Sequence, residues 1–326
     1  MLVPKRILSI FNFSGRQLRF LKYCLWFFVP VVIAYIILEI VVVNTPINFK
    51  IIGQYYREHS DEIELIGLGS SQMQSAFNPA YAEVKAINFA SKSQHHNEDF
   101  HILKQTRKNF PKLKYVLLEV SYSHLELPHH RDDYWKNSIY LNYYGVNGFG
   151  RLTTYKDKLL YLSNPRFFSN QLTDYYIFQI DKSKFNQYGF DTNNYDGPFN
   201  EMGFDEAKIA QHNFQKLNNE DLSIFNRNTA YLYRILDYTK AENLQVIICT
   251  TPFYKTYLKA RNPNILRRRD SILQVIEKKY GNITLLFQEN DTLHFTVRDF
   301  INENHLNPDG AKKFTGFVNQ KLDSLN

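Results

Sequence analysis

From Asp61 to its C-terminus the chain alternates between short apolar runs and longer stretches with helical periodicity. Continuous apolar runs are typical of strands in a parallel sheet that helices cover on both faces. The runs predict five strands, over 63–70, 83–90, 115–120, 245–250 and 283–287. Helices are predicted from about 97 to 110, over 226–242 and 264–279, and after Ala311. This alternation predicts a three-layer α/β/α domain with a mostly parallel five-stranded sheet.

The rhythm breaks in one stretch, from about 125 to 225, which is rich in Tyr, Phe, Asn and Asp. Short helices are predicted there over 155–162 and 170–178. We interpret this stretch as an insertion or cap on the α/β domain. Its aromatic side chains are suited either to a platform for a glycan or to a core of the insertion's own.

The longest apolar run lies near the N-terminus, from Cys24 to Val43, and has the roughly 20 residues needed to span a bilayer core. Basic residues precede it without any acidic one, which predicts that the N-terminus stays inside. The run is too long for a cleaved signal peptide. Glu39, near its outer end, is expected to reach the interface. The sequence therefore predicts a cytoplasmic segment (1–22), a single-pass inner-membrane signal anchor (23–43), a short stem (44–58) and an exported domain (59–326).

Composition narrows the range of partners. The formal net charge of +7 is partly explained by the N-terminus, and no basic arm or stacking motif indicates nucleic-acid binding. Two cysteines, Cys24 and Cys249, make no disulfide framework. The histidine pairs at 95–96 and 129–130 lack the usual zinc spacing, so neither a metal nor another cofactor is predicted.

Two polar features follow elements of the predicted sheet. Gly69-Ser70-Ser71 comes directly after the first strand, at the sheet edge where ligands bind in open α/β folds. Taken alone, this turn is equally typical of serines that cap a helix. His305 precedes the last predicted helix. A serine needs a base to become a nucleophile, and neutral histidine has a suitable pKa.

Together these residues resemble the SGNH/GDSL hydrolase superfamily. Gly69-Ser70-Ser71 matches its first block, and His305-Leu306-Asn307-Pro308-Asp309-Gly310 matches its last block. The segments 88–91 and 119–123 resemble the middle blocks by position only. The resemblance implies a flavodoxin-like domain in which Ser71 is the nucleophile and His305 the base.

The chain departs from the family pattern at two places. Asn302 occupies the position of the usual aspartate three residues before the histidine, and Glu303, Asp299 and Asp291 remain alternatives as the group that orients His305. The family's oxyanion glycine and asparagine are not evident. The candidate oxyanion or substrate residues are Gly69, Ser91 through its amide, and Ser121 or Ser123 through a hydroxyl.

One membrane helix followed by an exported domain of this type resembles the accessory proteins of cell-surface acylation systems. That resemblance implies action on acyl esters, most simply acetyl esters, of a surface or exported polysaccharide, beside a membrane-bound O-acyltransferase. Water as the acceptor makes the protein an esterase, and a sugar hydroxyl makes it a transferase. The alternative function is a catalytically weak or inactive glycan-binding or scaffold subunit of an acylation or export complex.

Overall fold

The computed structural model describes residues 14–179 and 185–325. Its centre is a five-stranded, fully parallel sheet with the order β2-β1-β3-β4-β5. The strands are β1 (Leu65–Leu68), β2 (Ala86–Asn88), β3 (Tyr115–Glu119), β4 (Gln245–Thr250) and β5 (Ile283–Phe287). This confirms the predicted α/β class and the parallel sheet. The strand order places a topological switch between β1 and β3, where ligands bind in such folds.

Helices cover both faces of the sheet. The helices of the described residues are α1 (Gly15–Asn44), α2 (Asn48–His59), α3 (Ser71–Ala76), α4 (His96–Thr106), α5 (Lys136–Tyr144), α6 (Leu160–Ser163), α7 (Pro165–Leu172), α8 (Pro198–Glu201), α9 (Glu206–Gln211), α10 (Leu222–Ala241), α11 (Lys255–Ala260), α12 (Pro263–Lys279) and α13 (Pro308–Asp323). Single 3-10 turns lie at Pro79–Tyr81, Arg107–Asn109, His124–Glu126, Tyr155–Lys158 and Val297–Asp299, and a π-helical turn at Thr173–Ile177.

Each face of the sheet has its own apolar core. Ile66 and Leu68 of β1 face one core, which α2, α4, α5, α10 and α12 complete. Leu65 of the same strand faces the other core, which contains Phe314 and Val318 of α13. Alternate residues of one strand thus face opposite cores, as a sheet buried on both sides requires.

Residues 44–58, predicted as a stem, form most of α2 and belong to the core. Phe49, Ile52, Tyr55 and Tyr56 are buried against the α/β domain. The prediction of a stem was wrong, because the apolar residues of this segment recur at helical spacing and bury one face of α2. Only three residues separate α1 from α2.

Helix α1 is long and apolar enough to cross a membrane. Its apolar side chains are exposed over most of its length, and Pro30 lies inside it. Of the predicted cytoplasmic segment, residues 1–13 lie outside the described part of the chain, and α1 begins at Gly15.

The aromatic stretch contributes to the main core as well as to the surface. Tyr140, Tyr143 and Tyr144 of α5 are buried in the core that also contains α2. Further along the chain, α6 contacts both α5 and the C-terminal part of α1, and α7 packs against α6. The stretch therefore packs directly on the N-terminal helices.

A small antiparallel hairpin, β6 (Phe300–Asn302) and β7 (His305–Leu306), precedes α13 and was not predicted. Strands of two or three residues are too short to produce a clear pattern of alternation. The hairpin matters because it carries both Asn302 and His305.

Candidate active site

Ser71 is the first residue of α3, directly after β1. Gly69 turns the chain there with a φ of +146°, and Ser70 caps the helix by accepting a hydrogen bond from the Gln72 amide. A Cβ atom on Gly69 would lie 2.6 Å from Glu119, so only glycine fits this close approach. The turn presents Ser71 at the C-terminal edge of the sheet.

The buried carboxylate of Glu119, at the end of β3, holds the turn. It accepts hydrogen bonds from the amide of Ser70 at 2.7 Å and the amide of Met73 at 3.3 Å. The hydroxyls of Ser70 and Ser121 donate to it as well. Burial raises the pKa of Glu119, and these hydrogen bonds oppose the rise. Glu119 thus fixes the start of α3 without facing the cavity.

His305 lies on β7 and reaches across to Ser71. The Ser71 hydroxyl donates to Nε2 of His305, with the oxygen 2.8 Å from the nitrogen. On the other side of the ring, Nδ1 of His305 lies 3.0 Å from Oδ1 of Asn302. That same oxygen accepts the backbone amide of Asn304 at 3.1 Å, which identifies it as the oxygen of the side-chain amide. His305 therefore carries its proton on Nδ1 and presents a lone pair to Ser71.

The other acids considered as orienting groups bind elsewhere. Glu303 accepts a hydrogen bond from His212, and Asp291 contacts His294. Asp299 accepts from the amide of Thr296 and from Lys313. Asn302 is the residue that the structure places against His305.

Burial and the nearby charge of Lys92 lower the pKa of His305 to about 4. Both causes disfavour imidazolium, and Asn302 offers no negative charge in compensation. The ring is consequently a neutral base across the physiological pH range.

The loop after β2 reaches the site with residues other than those predicted. The Ser91 amide donates to the carbonyl of Gly69, and its hydroxyl contacts Gln94 and Tyr140, so Ser91 is directed away from Ser71. The next two residues, Lys92 and Ser93, line the cavity instead. Ser93 has a φ of +59°, in the left-handed region, and glycine would have been the recognisable signal for such a turn.

Ser121 and Ser123 are also directed away from the cavity. Both residues are buried, and the Ser121 hydroxyl is engaged by Glu119. Neither lines the cavity around Ser71. Their expected role as oxyanion or substrate donors is wrong for this arrangement, because the chain turns after β3 and enters a 3-10 segment at His124–Glu126.

Lys136, at the start of α5, holds the loop that contains Lys92 and Ser93. Its ammonium donates to the carbonyl of Lys92 and lies 5.4 Å from the ring centre of Phe49. Burial lowers the pKa of Lys136 to about 7. Gln74 of α3 accepts the Lys92 amide at 3.0 Å. Lys92 is thereby held at both its amide and its carbonyl.

Ser71 and His305 open into a cavity of about 810 Å³. One end of it is formed by Asn302, His305 and the start of α3, and the insertion supplies much of the rest. The aromatic lining residues are Phe49, Tyr134, Trp135, Phe167, Phe185 and Phe190, and the amide-bearing ones include Asn48, Gln74, Gln171 and Asn194. Rings beside amides are a lining suited to sugars, whose faces are apolar and whose edges carry hydroxyls.

A cluster of histidines lies behind the loop and away from the cavity. The rings of His96 and His124 stack with centres 4.3 Å apart, and those of His95 and His129 with centres 5.3 Å apart. Burial lowers the pKa of all four, so they pack as neutral rings. Among the described residues, no group of His, Cys, Asp or Glu side chains is placed to hold a metal ion.

Comparison with solved structures gives distant likenesses. No protein-family model matches the chain, and no curated protein matches it significantly. A crystal structure of a Bacteroides fragilis protein, described provisionally as an acylhydrolase, is similar to it at 8% identity and a TM-score of 0.41. The match covers 83% of this chain and 95% of that one. At this TM-score the likeness carries no weight for the activity, which has to be argued from the site itself.

Proposed function

We propose that this chain is a membrane-anchored serine esterase or O-acyltransferase of the SGNH type, acting on acyl esters of a surface or exported polysaccharide. The observation that carries the proposal is the contact of 2.8 Å between Ser71 Oγ and His305 Nε2, in the tautomer that Asn302 selects. A serine hydroxyl that donates to a neutral, oriented imidazole is the arrangement that nucleophilic acyl transfer requires.

The chemistry proceeds in two halves. His305 Nε2 takes the proton of Ser71 as Oγ attacks the acyl carbonyl, and the tetrahedral intermediate expels the sugar alkoxide, which receives that proton. The acyl group is then an ester of Ser71. In the second half His305 deprotonates water or a sugar hydroxyl, which attacks the acyl-enzyme and releases the acid or a new ester. Ser71 recovers its proton from His305.

Two groups are suited to stabilise the negative oxygen of the intermediate. The Ser71 amide is the first amide of α3 and has no acceptor within the helix. Lys92 adds a positive charge close enough to lower the pKa of His305. We assign these groups the role that Ser91, Ser121 and Ser123 cannot fill.

The proposed substrate class rests on the lining of the cavity. Its volume is that of a site for a few sugar units, and both aromatic rings and side-chain amides line it. The membrane-bound O-acyltransferase remains the proposed partner, with α1 as the proposed anchor and the α/β domain on the outer side.

The test is ester hydrolysis by the full chain in detergent, with p-nitrophenyl acetate as substrate and a fluorophosphonate as covalent probe. We expect turnover, and a probe adduct on the peptide that contains Ser71. Ser71→Ala should abolish both signals. Ser271→Ala, which removes an exposed hydroxyl on α12, is the matched control and should leave both unchanged. Activity that persists in Ser71→Ala would refute the assignment of the nucleophile.

A non-catalytic glycan-binding subunit is the second candidate. The uncharged Asn302 favours it, since an amide stabilises imidazolium less than a carboxylate does. Retention of acetylated polysaccharide by the wild-type chain, without hydrolysis or probe adduct, would support this reading over the enzyme.

A further inference from the structure

The outer end of α1 is bound to the insertion through Glu39. Its carboxylate accepts the amide of Tyr161 at 3.1 Å and the amide of Leu162 at 3.2 Å, and the Tyr35 hydroxyl donates to it at 2.6 Å. Glu39 is buried in this contact. Helix α6 is therefore held at one fixed level along α1.

That level lies inside the apolar run. The run ends at Val43, four residues beyond Glu39, which corresponds to roughly 6 Å of helix. The whole run, from Cys24, has about the length of the bilayer core, so Glu39 cannot lie far outside it. If α1 crosses the membrane, the segment bound to Glu39 lies at the boundary between headgroups and acyl chains.

The side chains beside this contact are exposed apolar, aromatic and basic residues, which are the kinds found at that boundary. Leu152, Tyr155 and Leu162 are exposed, with 91% of Leu152 and 73% of Tyr155 accessible. Lys156 and Lys158 are exposed between them. Arg151, Lys156 and Leu162 line one surface groove of about 460 Å³, so these residues share one surface. Asp132, Asp133 and Asp157 line it as well, and Asp157 is paired with Arg151. Apolar and basic side chains on one face are typical of segments that lie in a membrane interface.

We propose that Leu152, Tyr155, Lys156, Lys158 and Leu162 form a lipid-binding surface that lies on the outer leaflet beside α1. The bilayer is the occupant because the surface continues directly from a membrane helix, through the Glu39 contact. The inference rests on α1 crossing the membrane, as proposed above.

The surface fixes the position of the catalytic cavity as well. Phe49, which lines the cavity, comes five residues after the end of α1, and Phe167 follows α6 by four residues. Both chain segments that flank the lipid-binding surface thus lead into the wall of the cavity. The cavity is placed to receive esters presented at the membrane.

The experiment uses the full chain in phosphatidylcholine–phosphatidylglycerol vesicles, with Cys24→Ser as background. An environment-sensitive fluorophore is attached to Leu162→Cys, to Ile33→Cys in the middle of α1, or to Leu293→Cys. Leu293 is the matched control because it is 88% exposed and lies far from α1. It follows β5, which is one edge of the sheet, whereas α2 packs against β2 at the other edge. Each sample is quenched with lipids that carry a nitroxide near the headgroup or deep in the acyl chain, and with aqueous iodide.

We expect the Leu162 probe to shift to the blue and to lose most of its emission to the shallow nitroxide. The Ile33 probe should respond to the deep nitroxide, and the Leu293 probe to iodide alone. A Leu162 probe that behaves like the Leu293 probe, while Ile33 is quenched by lipid, would overturn the surface and point to a protein on this face. An Ile33 probe that lipid does not quench would overturn both the anchor and the surface.

Discussion

At Asn302 an amide oxygen occupies the place where serine hydrolases more often carry a carboxylate. The Asn304 amide fixes the orientation of this side chain, and the side chain fixes the tautomer of His305. Asn302 therefore orients the imidazole of His305 but carries no negative charge that would stabilise imidazolium. The site separates two roles that a carboxylate performs together.

The first prediction follows from this separation. Asn302→Asp should raise the pKa of His305 by about 1 to 3 pH units, because a carboxylate favours imidazolium. If imidazolium formation limits the rate, ester hydrolysis near pH 8 should rise at least about tenfold, which corresponds to about 1.4 kcal/mol. Asn304→Asp adds the same charge next to the site without the imidazole contact and is the control. Equal behaviour of the two variants would contradict the assigned role of Asn302.

The second prediction concerns pH in the wild-type protein. Activity requires neutral His305, and a pKa lowered to about 4 keeps the ring neutral as the pH falls. The acid limb of kcat/KM should therefore have its midpoint near pH 4, well below the 6.5 of an ordinary histidine. Lys92→Gln removes one of the two causes and should move the midpoint upward. Lys112→Gln, on an exposed turn, should leave it in place. A wild-type midpoint near pH 6.5 would contradict the lowering of the His305 pKa by burial and Lys92.

The third prediction concerns Glu119. Glu119→Ala leaves the buried amides of Ser70 and Met73 without their acceptor, which should cost about 1–3 kcal/mol in the free energy of unfolding. It should also lower kcat, because the Ser71 turn loses its support. Glu119→Gln is the matched variant. Its side-chain oxygen can still accept from the two amides, while its NH₂ group donates to the Ser70 and Ser121 hydroxyls, which then act as acceptors. Urea unfolding and kcat together test this, and equal losses in both variants would argue against it.

At the scale of elements, the strands and long helices were predictable and the hairpin was not. The apolar runs around β1, β3, β4 and β5 are bounded by clear turn signals, and the burial of β3 on both faces explains its unbroken pattern. Helix α2 was missed as an element because its polar residues, such as Gln54 and Arg57, follow a predicted membrane segment and are typical of a stem. Its burial depends on α5, some eighty residues later, which no local pattern reveals.

The same reasoning applies to the site. The spacing of Asn302 and His305 and the Gly-Ser-Ser turn are local, so these three elements of the site could be found in the sequence. Glu119 and Lys136 act on segments about fifty residues away, and their roles appear only when β3 and α5 are packed. Lys92 was overlooked because its loop lacks the glycine that marks such turns.

The fourth prediction tests the packing of α2 on α5. A Cβ atom at Gly53 would lie 2.6 Å from the carbonyl oxygen of Tyr143, so Gly53→Ala must separate the two helices. We expect a loss of about 1–3 kcal/mol in urea unfolding. Gly316→Ala, in the middle of α13 with open space around it, is the matched control. It should stabilise the protein by about 0.5–1 kcal/mol, the usual gain for alanine over glycine in a helix. Stabilisation by both changes would disprove the close contact.

For the whole molecule, the N-terminal basic residues and α1 predict one orientation in the membrane. A reporter that is active only outside the cytoplasm, fused after Asn326, should be active, because the positive end of the anchor stays inside. A cytoplasmic reporter at the same position should be silent although the fusion is stable. Reversed results would place the α/β domain, with Ser71, on the inner side.

The three-residue connection between α1 and α2 limits where this protein can act. If α1 spans the bilayer as proposed, the domain reaches only a thin layer above the membrane, because only three residues separate its first core helix from α1. A domain on a long tether would reach a larger volume. With α1 in the bilayer, the frequency with which Ser71 meets the proposed ester would follow the density of chains per unit area of membrane rather than their bulk concentration. A cut after α2 would not release an intact domain, because it removes Phe49, Ile52, Tyr55 and Tyr56 from the core. On the proposed function, the site would then reach only polymer that passes close to the membrane surface.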